Sequence, residues 1–167
     1  KYSNISSVLD YSEMFYGVGE DASEKPSIDF SGANMAEGLN YSKMFLNGRL
    51  NSISFVGSNM LNAISFVGMF QNNDFVDTNI SFDENSFMPY VIDLEGMFAS
   101  PTVESVNIPS FSGRNVINLN SMFFGALDLS KINLGSVYQF NNIESMGHTF
   151  AGINNLNEQL DYNKFDT

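Results

Sequence analysis

The sequence has no cysteine, no tryptophan and a single histidine, and only seven of its 167 residues are lysine or arginine. The missing cysteines exclude disulfides, thiol nucleophiles and cysteine-based zinc sites, and suit either redox compartment. One histidine, His148, leaves a histidine-based triad or zinc cage short of parts. Seven basic residues against nineteen acidic ones give a net charge of −12, a field that repels phosphate backbones and anionic lipid surfaces. No nucleic-acid partner is therefore expected. No stretch approaches the roughly 18 consecutive apolar residues of a membrane span, and Lys1-Tyr2-Ser3-Asn4 opens no apolar leader. Direct membrane insertion is not expected either. Because the chain opens on Lys1 instead of methionine, we expect a segment of a longer protein.

What is abundant is phenylalanine (16) and methionine (9), within a hydrophobic content of 43%. That is ample for one domain with a continuous core. The two residues recur together at Met14-Phe15, Met44-Phe45, Met69-Phe70, Met97-Phe98 and Met122-Phe123, with a degenerate copy at Thr149-Phe150. The intervals between these marker phenylalanines are 30, 25, 28, 25 and 27 residues. This is the signature of internal repeats, six of them, spanning residues 1–167 as a single domain.

Each marker is preceded four positions earlier by Tyr11, Tyr41, Phe66, Leu94, Leu119 or Met146, and six or seven earlier by Leu9, Leu39, Ile64, Ile92, Ile117 or Ile143. Read as helical periodicity, this is one apolar stripe, and the spacing predicts a short α- or 3₁₀-helix in every repeat. Gly17, Gly48, Asn72, Pro101, Gly125 and Gly152 follow as helix stops. Asn34 with Glu37, Asn59, and Ser86 ahead of Pro89 read as helix starts.

Between these segments stands an apolar-polar-apolar triplet: Ile28-Asp29-Phe30, Ile53-Ser54-Phe55, Ile80-Ser81-Phe82, Val106-Asn107-Ile108, Ile132-Asn133-Leu134 and Leu160-Asp161-Tyr162. Alternation over three residues predicts a short strand with one buried face. A strand-helix-strand connection of this length makes neighbouring strands parallel. The expected fold is therefore α/β, a solenoid with a parallel sheet on one side and short helices on the other. The marker phenylalanines should form a ladder in its core.

In that arrangement the middle residue of each triplet points away from the core. Asp29, Ser54, Ser81, Asn107, Asn133 and Asp161 are the candidate ligand-binding residues, a flat polar strip of the kind repeat proteins use for recognition. Hydroxyls, amides and carboxylates without bulky aromatics suit a carbohydrate or a polar protein surface. No catalytic residue, metal ligand or cofactor is expected. His148 sits in a column shared with Glu13, Lys43, Gly68, Gly96 and Ser121, which reads as solvent-facing. Glu20, Asp21 and Glu24 read as a solvated acidic loop; a calcium site there would need several convergent oxygens and has no recognised loop motif.

The repeat resembles the BspA-like leucine-rich type of surface-protein repeat, also common in mycoplasma lipoproteins. Val91 to Phe98, Val116 to Phe123 and Ile143 to Phe150 match its Val-x-x-Met-x-x-Met-Phe spacing, although the first methionine of that pattern stands only at Met146. The resemblance implies a right-handed leucine-rich-repeat-like solenoid at a cell surface, outside the cell, engaged in adhesion or host interaction and without enzymatic activity. The expected function is thus an extracellular binding module acting through its sheet face. A structural spacer on a cell or virion surface is the alternative. The chain starts on a helix half without its strand and ends on a strand without its helix, so end-to-end self-association is also expected.

Overall fold

A right-handed helix needs each residue at negative φ and each amide turned toward the carbonyl four residues back. In the computed structural model, which describes residues 5–76, 79–82, 88–108, 113–133 and 140–156, the segments around the marker phenylalanines meet neither condition. Two positions before each marker, φ is positive: 56° at Glu13 and Lys43, 59° at Gly68, 60° at Gly96, 55° at Ser121 and 58° at His148. Two positions after it, Gly17, Asn47, Asn72, Ser100, Gly125 and Gly152 are left-handed as well. A left-handed residue at every fourth position stops a helix before its first full turn.

The amides leave the repeat instead. Phe45 donates its backbone N–H to Met69 at 3.0 Å, Phe70 to Met97 at 2.9 Å, Phe98 to Met122 at 2.8 Å and Phe123 to Thr149 at 2.9 Å. The left-handed residues do the same, Lys43 to Val67 at 2.7 Å and Gly96 to Asn120 at 2.9 Å. Amides between them reach back three residues, as in Met44 to Tyr41 and Leu46 to Lys43. With positive φ at the third residue, the turn from Tyr41 to Met44 has the type II pattern.

The expected α/β, right-handed leucine-rich-repeat-like solenoid is therefore not what forms. No α-helix occurs among the described residues, whose one helical element is a three-residue 3₁₀ turn at Gly113–Asn115. The rest is turns, bridges and seven short strands: β1 (Ser27–Asp29), β2 (Arg49–Leu50), β3 (Ser52–Ser54), β4 (Asp74–Phe75), β5 (Asn79–Ser81), β6 (Ser105–Asn107) and β7 (Lys131–Asn133). They pair in parallel as β1 with β3, β2 with β4, and β5-β6-β7. Register follows the repeat, with Ile28 opposite Ile53, Ile80 opposite Val106, and Val106 opposite Ile132. The expected helix starts are turns too: the Asn34 and Asn59 side chains accept the amides of Ala36 and Leu61, and Asn34 bridges to Asn59. Ser86 and the triplet of Leu160, Asp161 and Tyr162 lie outside the described residues, as does Leu134.

Three aromatic columns fill the core. The markers stack from Phe15 through Phe45, Phe70, Phe98 and Phe123 to Phe150, with ring centroids 5.4–5.8 Å apart and planes within 14° of parallel. Tyr11, Tyr41 and Phe66 form a second column at 5.0 and 5.1 Å. The strand residues Phe30, Phe55 and Phe82 form a third at 5.5 and 5.0 Å. Between the first and third columns the rings meet edge to face, as in Phe45 with Phe55 at 77°. Each such pair contributes about 0.5–1.5 kcal/mol beyond the area it buries. Parallel backbone bonding holds neighbouring repeats at a strand spacing of about 4.8 Å, close to the reach of stacked rings.

Candidate functional site

The strands bring most of the polar triplet residues into one line. Asp29 stands opposite Ser54, Ser81 opposite Asn107 and Asn107 opposite Asn133. The parallel bridge between Phe55 and Phe82 continues the line from β3 to β5. Asp161 lies outside the described residues, and Ser81 is placed by its backbone. Asp29 and Asn133 are exposed, Ser54 and Asn107 half-buried, while their flanking partners Ile53, Phe55, Val106 and Ile108 are buried. The five positions run about 19 Å at the usual strand spacing.

Much of this strip bonds to itself. The Asn133 amide donates to the Asn107 Oδ1 at 2.7 Å. The hydroxyls of Ser31 and Ser54 share a hydrogen bond of 2.9 Å, and Asp29 accepts the Ser31 amide at 2.8 Å. Hydrogen bonds from the Ser31 hydroxyl and amide hold the Asp29 carboxyl below its ordinary range. Oriented hydroxyls and amides with one anionic end form a hydrogen-bonded donor and acceptor array.

A second polar column was not singled out from the sequence. Asp10, Asn40, Ser65, Asp93, Asn118 and Ser145 each precede the large apolar residue, and each bridges in parallel to the next. Their side chains close the turns: Asp10 accepts the Ser12 amide at 2.8 Å, Asn40 that of Ser42 at 3.0 Å, Asp93 that of Glu95 at 2.9 Å and Asn118 that of Asn120 at 3.0 Å. The signal was an unbroken run of Asp, Asn or Ser at one repeat position, residues that bond their own backbone two places on. The role is local and structural.

The apolar residues one place earlier in the chain overturn a further expectation. Leu9, Leu39, Ile64, Ile92 and Ile117, read as part of a buried stripe, are 36–56% exposed. The core position is the residue before each, where Gly38, Ala63, Val91 and Val116 are buried. The exposed residues form their own ladder: Leu39 donates to the Leu9 carbonyl at 2.8 Å, Ile64 to Leu39 at 2.9 Å, Ile92 to Ile64 at 2.9 Å and Ile117 to Ile92 at 3.0 Å. Leu39, Ile64, Ile92 and Ile117 line a shallow groove of about 570 Å³ with Asn62, Tyr90 and Asn115. Glu144 occupies the next rung, donating to the Ile117 carbonyl at 2.9 Å.

Elsewhere, Glu20, Asp21 and Glu24 are all exposed, and no three His, Asp or Glu side chains converge as metal ligands among the described residues. His148 is exposed and packs edge-on against Phe124 at 6.3 Å. Asp74 gathers two cations, Lys25 at 2.8 Å and Arg49 at 3.3 Å, and the Lys25 hydrogen bond is the main influence lowering its pKa. No helix is long and apolar enough to cross a membrane among the described residues.

These features define a repeat protein whose copies stack through parallel backbone bonding around aromatic columns. The chain belongs to the DUF285 family, described as Mycoplasma protein of unknown function, whose model matches residues 64–167. Neither the curated proteins nor the solved structures gave a match.

Proposed function

We propose that this chain is an extracellular recognition module of the BspA-like surface-repeat kind, binding a carbohydrate or protein on a cell surface through Asp29, Ser54, Ser81, Asn107 and Asn133. The observation behind this reading is the register of β1, β3, β5, β6 and β7, which lines up small polar residues without a bulky group among them. Family membership is compatible with a surface repeat protein. Saturable binding of the labelled chain to intact candidate cells tests it. Ser54→Arg with Asn107→Arg, at unchanged melting temperature, should abolish that binding; full binding by the variant would overturn the site.

A spacer role, with association through the ends of the repeat stack, is the second reading. It is favoured by the hydrogen bonds that Asn107 and Asn133, and Ser31 and Ser54, make within the strip, since these satisfy groups a ligand would otherwise engage. Absence of binding to every surface tried would favour it.

A further inference from the structure

We infer that the aliphatic ladder is a second interaction surface, distinct from the polar strip, and that it takes a basic polypeptide segment carrying aliphatic side chains on one face. Five aliphatic side chains, 36–56% exposed, stand in consecutive rungs and make a contiguous apolar band on an acidic molecule. Such bands on soluble domains mark places where another surface docks. Between Leu39 and Ile117 the groove spans about 14 Å at the usual strand spacing. That is room for a short peptide whose alternate side chains face the ladder.

Charge selects the occupant. Exposed carboxylates accompany four of the five rungs: Asp10 follows Leu9, Glu37 stands two residues before Leu39, Glu95 three residues after Ile92, and Glu144 takes the rung beyond Ile117. Half-buried Asp93 follows Ile92 directly. Against these stand two bases, exposed Lys43 four residues after Leu39 and exposed Arg114 three residues before Ile117. A second copy laid on this face would bring the same carboxylates against their counterparts, with −12 on each molecule, and like charges facing across an interface are costly. Anionic lipid is repelled for the same reason. A sugar would find an aliphatic floor and one aromatic wall, Tyr90, with the Asn115 amide already donating to the Pro89 carbonyl at 2.7 Å. A segment with leucine-like side chains toward the ladder and lysine or arginine toward the rim satisfies both features.

The probe is a short fluorescein-labelled peptide of alternating leucine and lysine, followed by fluorescence anisotropy. Controls replace leucine by serine at the same charge, or lysine by glutamate. The leucine-lysine peptide should bind at least about tenfold more tightly than either control. Binding should weaken by a similar factor in Ile64→Ser with Ile92→Ser, and fall with added salt in the native chain. If the double variant fails to fold, Ile92→Ser alone and Glu37→Gln with Glu144→Gln, all at exposed side chains, carry the same comparison. Equal binding of the serine-lysine peptide, or undiminished binding by a folded ladder variant, would overturn the proposal. Equal binding of the leucine-glutamate peptide would overturn the choice of a basic partner.

Discussion

The first three repeats and the last three follow the same backbone path with different fillings. In the first half, Tyr11, Tyr41 and Phe66 stack on one another beside the markers, and Phe30, Phe55 and Phe82 meet the markers edge to face. In the second half the corresponding positions hold Leu94, Leu119 and Met146, and the strand position holds Ile108, while the marker column continues through Phe98, Phe123 and Phe150. The backbone ladder is indifferent to this exchange, with inter-repeat bonds of 2.8–3.0 Å from the marker amides in both halves. Register is thus set by main-chain pairing and by one ring per repeat. The column beside the markers holds rings in one half and leucine or methionine in the other.

The comparison breaks most sharply at the markers themselves. Phe70 meets the rings of Phe45, Phe55, Phe75, Phe82 and Phe98, whereas Phe123 meets those of Phe98 and Phe150. Phe70→Ala should cost about 3–5 kcal/mol in urea unfolding and Phe123→Ala the lower end of that range. Equal losses would mean that edge-to-face contacts add nothing measurable. The next effect lies at the buried position two before each polar turn residue. A Cβ on Gly38 would meet the Tyr41 hydroxyl and, at 2.6 Å, the Tyr11 ring. Gly38→Ala should destabilise by about 1–3 kcal/mol, although Ala63 fills the equivalent place in the following repeat. The requirement for glycine belongs to the Tyr41 repeat, since Val8 stands at the same place before Tyr11.

A smaller effect follows from the buried phenol. The Tyr41 hydroxyl donates to the Met35 carbonyl at 2.9 Å, and burial, with the neighbouring Tyr11 second, raises its pKa far above the ordinary phenol range. The folded chain keeps Tyr41 neutral where the unfolded chain ionises it. That contribution is complete below about pH 10 and is lost as pH climbs further. Tyr41→Phe should cost about 1 kcal/mol at neutral pH and flatten the alkaline loss of stability, read by urea unfolding against pH. The smallest effect concerns the left-handed column. Lys43→Gly should gain about 0.5 kcal/mol, the relief of side-chain strain being partly offset by backbone entropy, and Gly96→Ala should lose about 1 kcal/mol. Matching thermal melts would check both signs.

Several of these features were legible in the residues. The even return of Met-Phe placed the core column, and the triplets Ile53-Ser54-Phe55 and Val106-Asn107-Ile108 gave the short strands and their buried faces. The helices were misread for a physical reason. Apolar residues at minus six or seven, minus four and zero fit a helix period, yet the same spacing arises when a chain turns back every few residues. What distinguishes the two is the sign of φ at Glu13, Lys43, Ser121 and His148, and none of these side chains advertises it; Gly68 and Gly96 in the same column were the available hint. The aliphatic ladder was hidden by adjacency. In Val91-Ile92 and Val116-Ile117 both residues are apolar, and only the path of the backbone decides that valine goes in and isoleucine out.

The central claim is that the marker segments bond between repeats and not along helices. Couplings transmitted through hydrogen bonds in nuclear magnetic resonance test it directly, from the amide nitrogen of Phe70 to the carbonyl carbon it contacts. The arrangement described here predicts a coupling to Met97, the acceptor at 2.9 Å in the next repeat. A coupling from Phe70 to Phe66 within the same repeat, the helical pattern, would contradict it.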